Sequence, residues 1–120
     1  MDNAALINTE EHKYWNSDSA DYWVSQKPAL DRLLAPWTRL LLEAAELSGG
    51  EQIADIGCGT GATTLKFAAS VGTGGRIIGI DLSRKLIDSA IKSARERAIK
   101  MLCSSRPMPR STVFPVLKIL

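Results

Sequence analysis

The residues Asp55-Ile56-Gly57-Cys58-Gly59-Thr60-Gly61 carry the densest ligand-handling chemistry in the chain. A short apolar run, 52–56, leads into alternating glycines, and a helical pattern follows. Glycines in alternation let a loop turn sharply and let a ligand touch its backbone, where a Cβ would intrude. Free N–H groups at the start of the next helix then face a polar or anionic group. A second acid, Asp81, directly follows the apolar run 77–80. A carboxylate at the end of a strand can accept hydrogen bonds from both hydroxyls of a ribose. It lies 20 residues beyond Gly61, the span of one helix and one strand.

The glycines alone leave two ligand classes open, because Gly57-x-Gly59-x-x-Ala62 also satisfies the looser dinucleotide pattern. Asp55 weighs against the dinucleotide class, whose strand normally carries an apolar residue there. Other chemically able residues read as structural. His12, the single histidine, sits on a polar helix and is expected to be solvated. Cys58 fills a small position in the loop and has no activating neighbour in sequence. The basic residues of 84–100 are interspersed with Asp88 and Glu96, as on a solvated helix face. The tryptophans are expected in core or interface packing, where large aromatics supply apolar area.

These residues need elements to hold them. One or two short helices are expected over 9–26, with Asn8 or Thr9 as a first cap and Asn16 to Ser19 as a second. Pro28 suits a first helical turn, and Leu30, Leu33, Leu34, Trp37, Leu40 and Leu41 follow at helical spacing. Pro36 is expected to kink or divide that helix near Leu34–Ala35, and Ser48-Gly49-Gly50 to stop it. Then come a strand over 52–56, a helix over 61–70 with Leu65, Ala68 and Ala69 inward, and a strand over 76–80. Ser83 caps a long helix over 84–100. Strand, helix, strand, helix predicts an α/β fold with a parallel sheet and right-handed crossovers. In 101–120 only 116–120 has the pattern of a strand, and three prolines forbid a helix through most of the tail.

Composition limits the reading further. The 120 residues are 45% hydrophobic and 23% charged, an ordinary globular balance. A net charge of +2 argues for neither nucleic acid nor an acidic membrane surface. No stretch reaches the ~18 apolar residues of a membrane span, and the N-terminus lacks a signal-peptide pattern. Cys58 and Cys103 make neither a disulfide framework nor a metal site, so a reduced cytoplasmic setting is expected.

The segments YWNSDSADYW, QKPALDRLLAP, IADIGCGTGATTLKFA and GRIIGIDLS together resemble class I S-adenosylmethionine-dependent methyltransferases. The likeness is strongest to the small-molecule type related to ubiquinone/menaquinone biosynthesis, and it runs from about Tyr14 to Lys100. It implies a Rossmann-like parallel sheet, truncated after the second strand-helix unit and preceded by N-terminal helices. It also implies that Gly57, Gly59 and Gly61, with Cys58 and Thr60 between them, line the methionine part of S-adenosylmethionine. Asp55 would orient its ammonium group, directly or through water. Asp81 would take the ribose hydroxyls and Leu82 would cover the adenine. The helices bearing Tyr14, Trp15, Tyr22 and Trp23 would form part of a lid over the site. The expected organisation is a lid region over 1–48, a cofactor-binding half-domain over 49–100 and an atypical tail over 101–120.

The resemblance implies methyl transfer to a small-molecule acceptor, with no catalytic residue identified in 1–100 and the oligomeric state left open. A whole domain of this type needs ~150 residues or more. The tail carries Arg106, Arg110 and Lys118 without one acid. Read in the neighbouring frame, its codons permit an alternating strand ending in Asp-Ala, as the family would supply. The tail is therefore expected to be a frame-shift product or a disordered end. Two further functions stay open: an inactive fragment serving as a cofactor-binding or interaction module, and a dinucleotide-binding domain.

Overall fold

The computed structural model describes residues 3–106 and 117–119, with side-chain surroundings for 8–106. Three helices come first: α1 (Asn3–Trp15), α2 (Asp18–Ser25) and α3 (Lys27–Ala45). β1 (Gln52–Ile56), α4 (Ala62–Val71), β2 (Arg76–Ile80) and α5 (Arg84–Glu96) follow, then β3 (Leu102–Ser104) and β4 (Leu117–Ile119). The strands form one parallel sheet in the order β3-β2-β1-β4. β1 and β2 run in register from Gln52 opposite Arg76 to Ile56 opposite Ile80, so both end at the same edge. That shared edge is where Asp55 and Asp81 meet.

The core is small. Ile53 and Ile77 from the sheet pack with Phe67, Ala68 and Val71 of α4, and Leu42, Ala45, Leu47, Ile99 and Met101 close around them. On α5 the buried residues are Leu86, Ile87, Ala90 and Ala94, spaced for one helix face. This agrees with an α/β sheet whose strands are covered by helices.

Several boundaries differ from the sequence reading. α1 begins at Asn3, earlier than its expected caps, because Ala4, Ala5 and Leu6 are good helix formers. α3 passes Pro36 as one helix. Pro36 is exposed, so the carbonyl it leaves unpaired on Arg32 can be met by water. Ala69 points outward, and Thr64 and Phe67 take the inner face instead.

α5 ends at Glu96, not at 100. Ala98 adopts φ 52°, its N–H donates to the Arg95 carbonyl at 3.1 Å, and the Ile99 N–H donates to Ala94 at 2.9 Å. These two bonds are a Schellman closure formed without glycine, and they turn Ile99 back onto the core. The expected lack of regular structure just after residue 100 is also corrected. Leu102–Ser104 pairs with β2, because Met101 anchors that stretch against the core. The strand expected near the C-terminus is β4, and residues 107–116, with Pro107, Pro109 and Pro115, lie outside the described residues.

Candidate functional site

The loop after β1 is held by backbone hydrogen bonds that cross the sheet edge. Gly57 and Cys58 both donate to the Ile80 carbonyl, at 2.7 and 3.1 Å, and Gly61 donates to Cys58 at 3.0 Å. Gly57, Gly59 and Gly61 have φ of 75°, 56° and 84°, the left-handed region that favours glycine. A Cβ on Gly57 or Gly59 would meet no atom of a described residue within 4 Å, its chain neighbours aside, so the space before both is open. Gly61 is different. It is buried, and a Cβ there would lie 2.9 Å from that of Ala90. Gly61 lets α4 and α5 approach, while Gly57 and Gly59 leave room for a ligand.

Two carboxylates flank that room. Asp55 is 8% exposed and accepts a 2.6 Å hydrogen bond from Thr64 Oγ1. Burial pushes its carboxyl above the ordinary aspartate value; the Thr64 bond opposes this and the charge of Asp81 adds to it. Asp81 braces two loops, accepting from Gly59 N–H at Oδ2 and Ser83 N–H at Oδ1, both at 2.9 Å. Each carboxylate oxygen accepts twice, so Asp81 keeps capacity for two more donors. Burial also raises both thiols, Cys58 strongly, which disfavours the thiolate at neutral pH.

The N-terminal helices lie over this edge. Asn16 Nδ2 donates to the Leu82 carbonyl at 3.1 Å, and Arg84 N–H donates to Asn16 Oδ1 at 2.9 Å. Lys85 pairs with Asp21 at 2.7 Å, and α2 packs on α5. Between them run two clefts that share Trp15, Gly57, Gly59 and Leu86. One, of about 440 Å³, extends from Asp55 and the glycine loop to Trp23, Leu30, Asp31 and Leu34. The other, of about 370 Å³, reaches Asp81, Leu82 and Glu11.

The structure thus brings together Asp55, Gly57, Cys58, Gly59 and Thr60 in the first cleft, and Asp81 and Leu82 in the second. Gly61 lines neither. Of the four lid aromatics, Trp15 and Trp23 face the first cleft, while Tyr14 and Tyr22 are 47% and 59% exposed. His12 is exposed, as expected, and Trp37 is exposed instead of packed.

Sequence reasoning missed Lys27, whose Nζ pairs with Asp31 at 2.8 Å and lies 3.4 Å from Thr60 Oγ1. The Lys–Asp spacing of four was visible; its place beside the glycine loop was not. Trp23 was read only as lid packing, yet its Nε1 is buried with no hydrogen-bond partner among the described residues. Among those residues no group of three His, Cys, Asp or Glu could hold a metal ion, and no helix is long and apolar enough to cross a membrane.

A parallel α/β sheet with a glycine loop between two strand-end acids is the layout of nucleoside-binding α/β folds. Residues 47–104 match the family model described as a methyltransferase domain. Aklanonic acid methyltransferase DauC of Streptomyces sp. (strain C5) is 40% identical over 65 residues, covering 54% of this chain and 30% of that protein. Magnesium protoporphyrin IX methyltransferase of Synechocystis PCC 6803, solved with bound S-adenosylmethionine, shares the fold at TM-score 0.60 and 20% identity, covering 88% of this chain and 55% of that one. The cyclase SpnF aligns at TM-score 0.52 and 34% identity, covering 64% of this chain and 27% of its own. The chain spans less than a third of the curated relative it matches. Residues 47–104 belong to the class I S-adenosylmethionine-dependent methyltransferases, and S-adenosylmethionine is the cofactor of that family.

Proposed function

We propose that this chain is the S-adenosylmethionine-binding portion of a methyltransferase acting on a small-molecule acceptor. The observation that carries the reading is the open space before Gly57 and Gly59, bounded by one carboxylate at each end. The cofactor is a cation with an amino-acid end and a ribose end, and the donor set fits both. Asp55 holds the ammonium, and Asp81 accepts from the ribose hydroxyls with its remaining lone pairs. Gly57 and Gly59 admit the ligand against the backbone, with Cys58 and Thr60 between them. Gly61 sets the loop's turn, and Leu82 covers the adenine. Lys27, beside Thr60, is the cation placed to meet the carboxylate of the methionine end.

When bound, S-adenosylmethionine supplies a methyl group on a sulfonium leaving group. The protein's part is then alignment and exclusion of water. Trp15, Trp23, Leu30 and Leu34 make the wall opposite the glycine loop apolar, which suits a small organic acceptor. The name of the aklanonic acid relative points the same way. Both cysteines stand free, which supports a reduced, cytoplasmic setting.

Isothermal titration of the full chain with S-adenosylhomocysteine and, separately, with NAD tests this. Saturable binding of the first alone is expected. Binding of NAD instead would revive the dinucleotide reading, and no binding of either would leave an interaction module. SpnF shares this fold and is a [4+2]-cyclase, so binding alone does not establish methyl transfer, which is assayed with a panel of small apolar acceptors.

A further inference from the structure

Trp23 stands half-buried in the wall of the first cleft, and its indole Nε1 is shielded from water with no hydrogen-bond partner among the described residues. A buried N–H is costly to leave unpaired, and a tryptophan that buries its ring usually finds an acceptor for it. The neighbouring Trp15 does so, donating from Nε1 to Glu11 Oε2 at 3.1 Å. Trp23 instead brings to the cleft wall a donor that the fold itself does not use.

A positive charge stands beside it. Gln26, which joins α2 to α3, donates to the Tyr22 carbonyl at 3.1 Å and accepts from the Leu30 N–H at 3.0 Å. Helical bonding therefore runs through the junction, and residues four apart share one face. Trp23, Lys27 and Asp31 form such a row. Trp23 and Asp31 line the cleft, while Lys27 Nζ pairs with Asp31 and lies 3.4 Å from Thr60 Oγ1 of the glycine loop. The row thus presents an N–H and an ammonium on the wall that faces the loop.

Ligand chemistry selects what that pair would meet. The charged groups at the methionine end of S-adenosylmethionine are an ammonium, a sulfonium and a carboxylate. The first two are cations and offer nothing to a donor. Only the carboxylate accepts hydrogen bonds. A lysine supplies charge from a flexible stem, whereas an indole N–H is fixed in direction by its packed ring.

We propose that Trp23 is a cofactor-binding residue whose Nε1–H donates to the carboxylate of the methionine end, alongside Lys27. The assignment rests on the S-adenosylmethionine reading of the cleft. 5′-Methylthioadenosine carries the same nucleoside and sulfur without the amino-acid end, so it separates the two halves of the ligand. Isothermal titration of the full chain should show S-adenosylhomocysteine binding more tightly than 5′-methylthioadenosine. Trp23→Phe should weaken S-adenosylhomocysteine about 10-fold, as for loss of a hydrogen bond to a charged group, and leave 5′-methylthioadenosine within about twofold. Lys27→Met should give the same split. Retained binding of 5′-methylthioadenosine also shows that a variant keeps its fold and its nucleoside end. If Trp23→Phe binds S-adenosylhomocysteine like the wild type, the inference is overturned, the cofactor reading stands, and the indole is left to the methyl acceptor. Parallel loss of both ligands also overturns it and assigns Trp23 to packing. A wild type that binds the two ligands equally overturns the inference alone. One that binds neither overturns the cofactor reading with it.

Discussion

Replacing Asp55 by Asn should move folding and ligand binding in opposite directions. Asp55 is buried, and desolvation together with the charge of Asp81 holds its carboxyl above the ordinary value. Ionised Asp55 therefore weakens the empty fold. Asparagine keeps an oxygen for the 2.6 Å bond from Thr64 and removes the charge, so the melting midpoint should stay level or rise. Binding behaves otherwise. A charge-assisted hydrogen bond from a ligand ammonium contributes about 1.5–3 kcal/mol, so its loss should weaken S-adenosylhomocysteine roughly 10- to 100-fold. Acidification has the same two signs. With a raised folded pKa, the contribution of Asp55 to stability is full below the unfolded pKa and lost as pH rises through the folded value. Ligand affinity should fall as the carboxyl protonates, beginning above the usual aspartate range. Calorimetric titration and thermal melts of both proteins across pH read these effects. A variant binding within threefold of wild type would refute the assignment, and a variant losing stability along with binding would refute the electrostatic account.

Other substitutions probe the scaffold. Gly61→Ala forces a side chain into φ 84° and to 2.9 Å from Ala90, and should cost about 2–4 kcal/mol in urea melts. Ala98→Gly should stabilise by about 1 kcal/mol in the same assay, because Ala98 occupies the left-handed position of the α5 closure. Both cysteines should alkylate with iodoacetamide more slowly than a free thiol at pH 8, and denaturant should abolish the difference. Asn16→Ala removes the two side-chain bonds that tie the turn after α1 to Leu82 and Arg84. It should raise protease cutting near α1 while leaving the melt of the sheet within about 1 kcal/mol.

Local chemistry made the cofactor loop legible in the sequence. Asp55 through Gly61 is contiguous, its glycines answer to backbone conformation alone, and β1 and β2 read directly as short apolar runs. Ser83 could be named as a cap because its bond to Leu86 N–H spans three residues. Where an element ended through a tertiary contact, the reading failed. Nothing local marks Ala98 as left-handed; the pull of Ile99 and Met101 onto the core ends α5 and starts β3. Pro36 left α3 continuous because its side of the helix faces solvent.

The sequence by itself thus determined the loop, the two acids and the alternation of strand and helix, all set by periodicity and backbone conformation. Only the tertiary structure decided that Asp81 spends hydrogen bonds on Gly59 and Ser83, that Lys27 reaches Thr60, and that Gly61 serves packing. It also decided that Trp15 and Trp23, not Tyr14 and Tyr22, face the cleft, because a helix shows a neighbour only one side. Those choices depend on which faces of distant segments meet, and spacing along one chain does not carry that information.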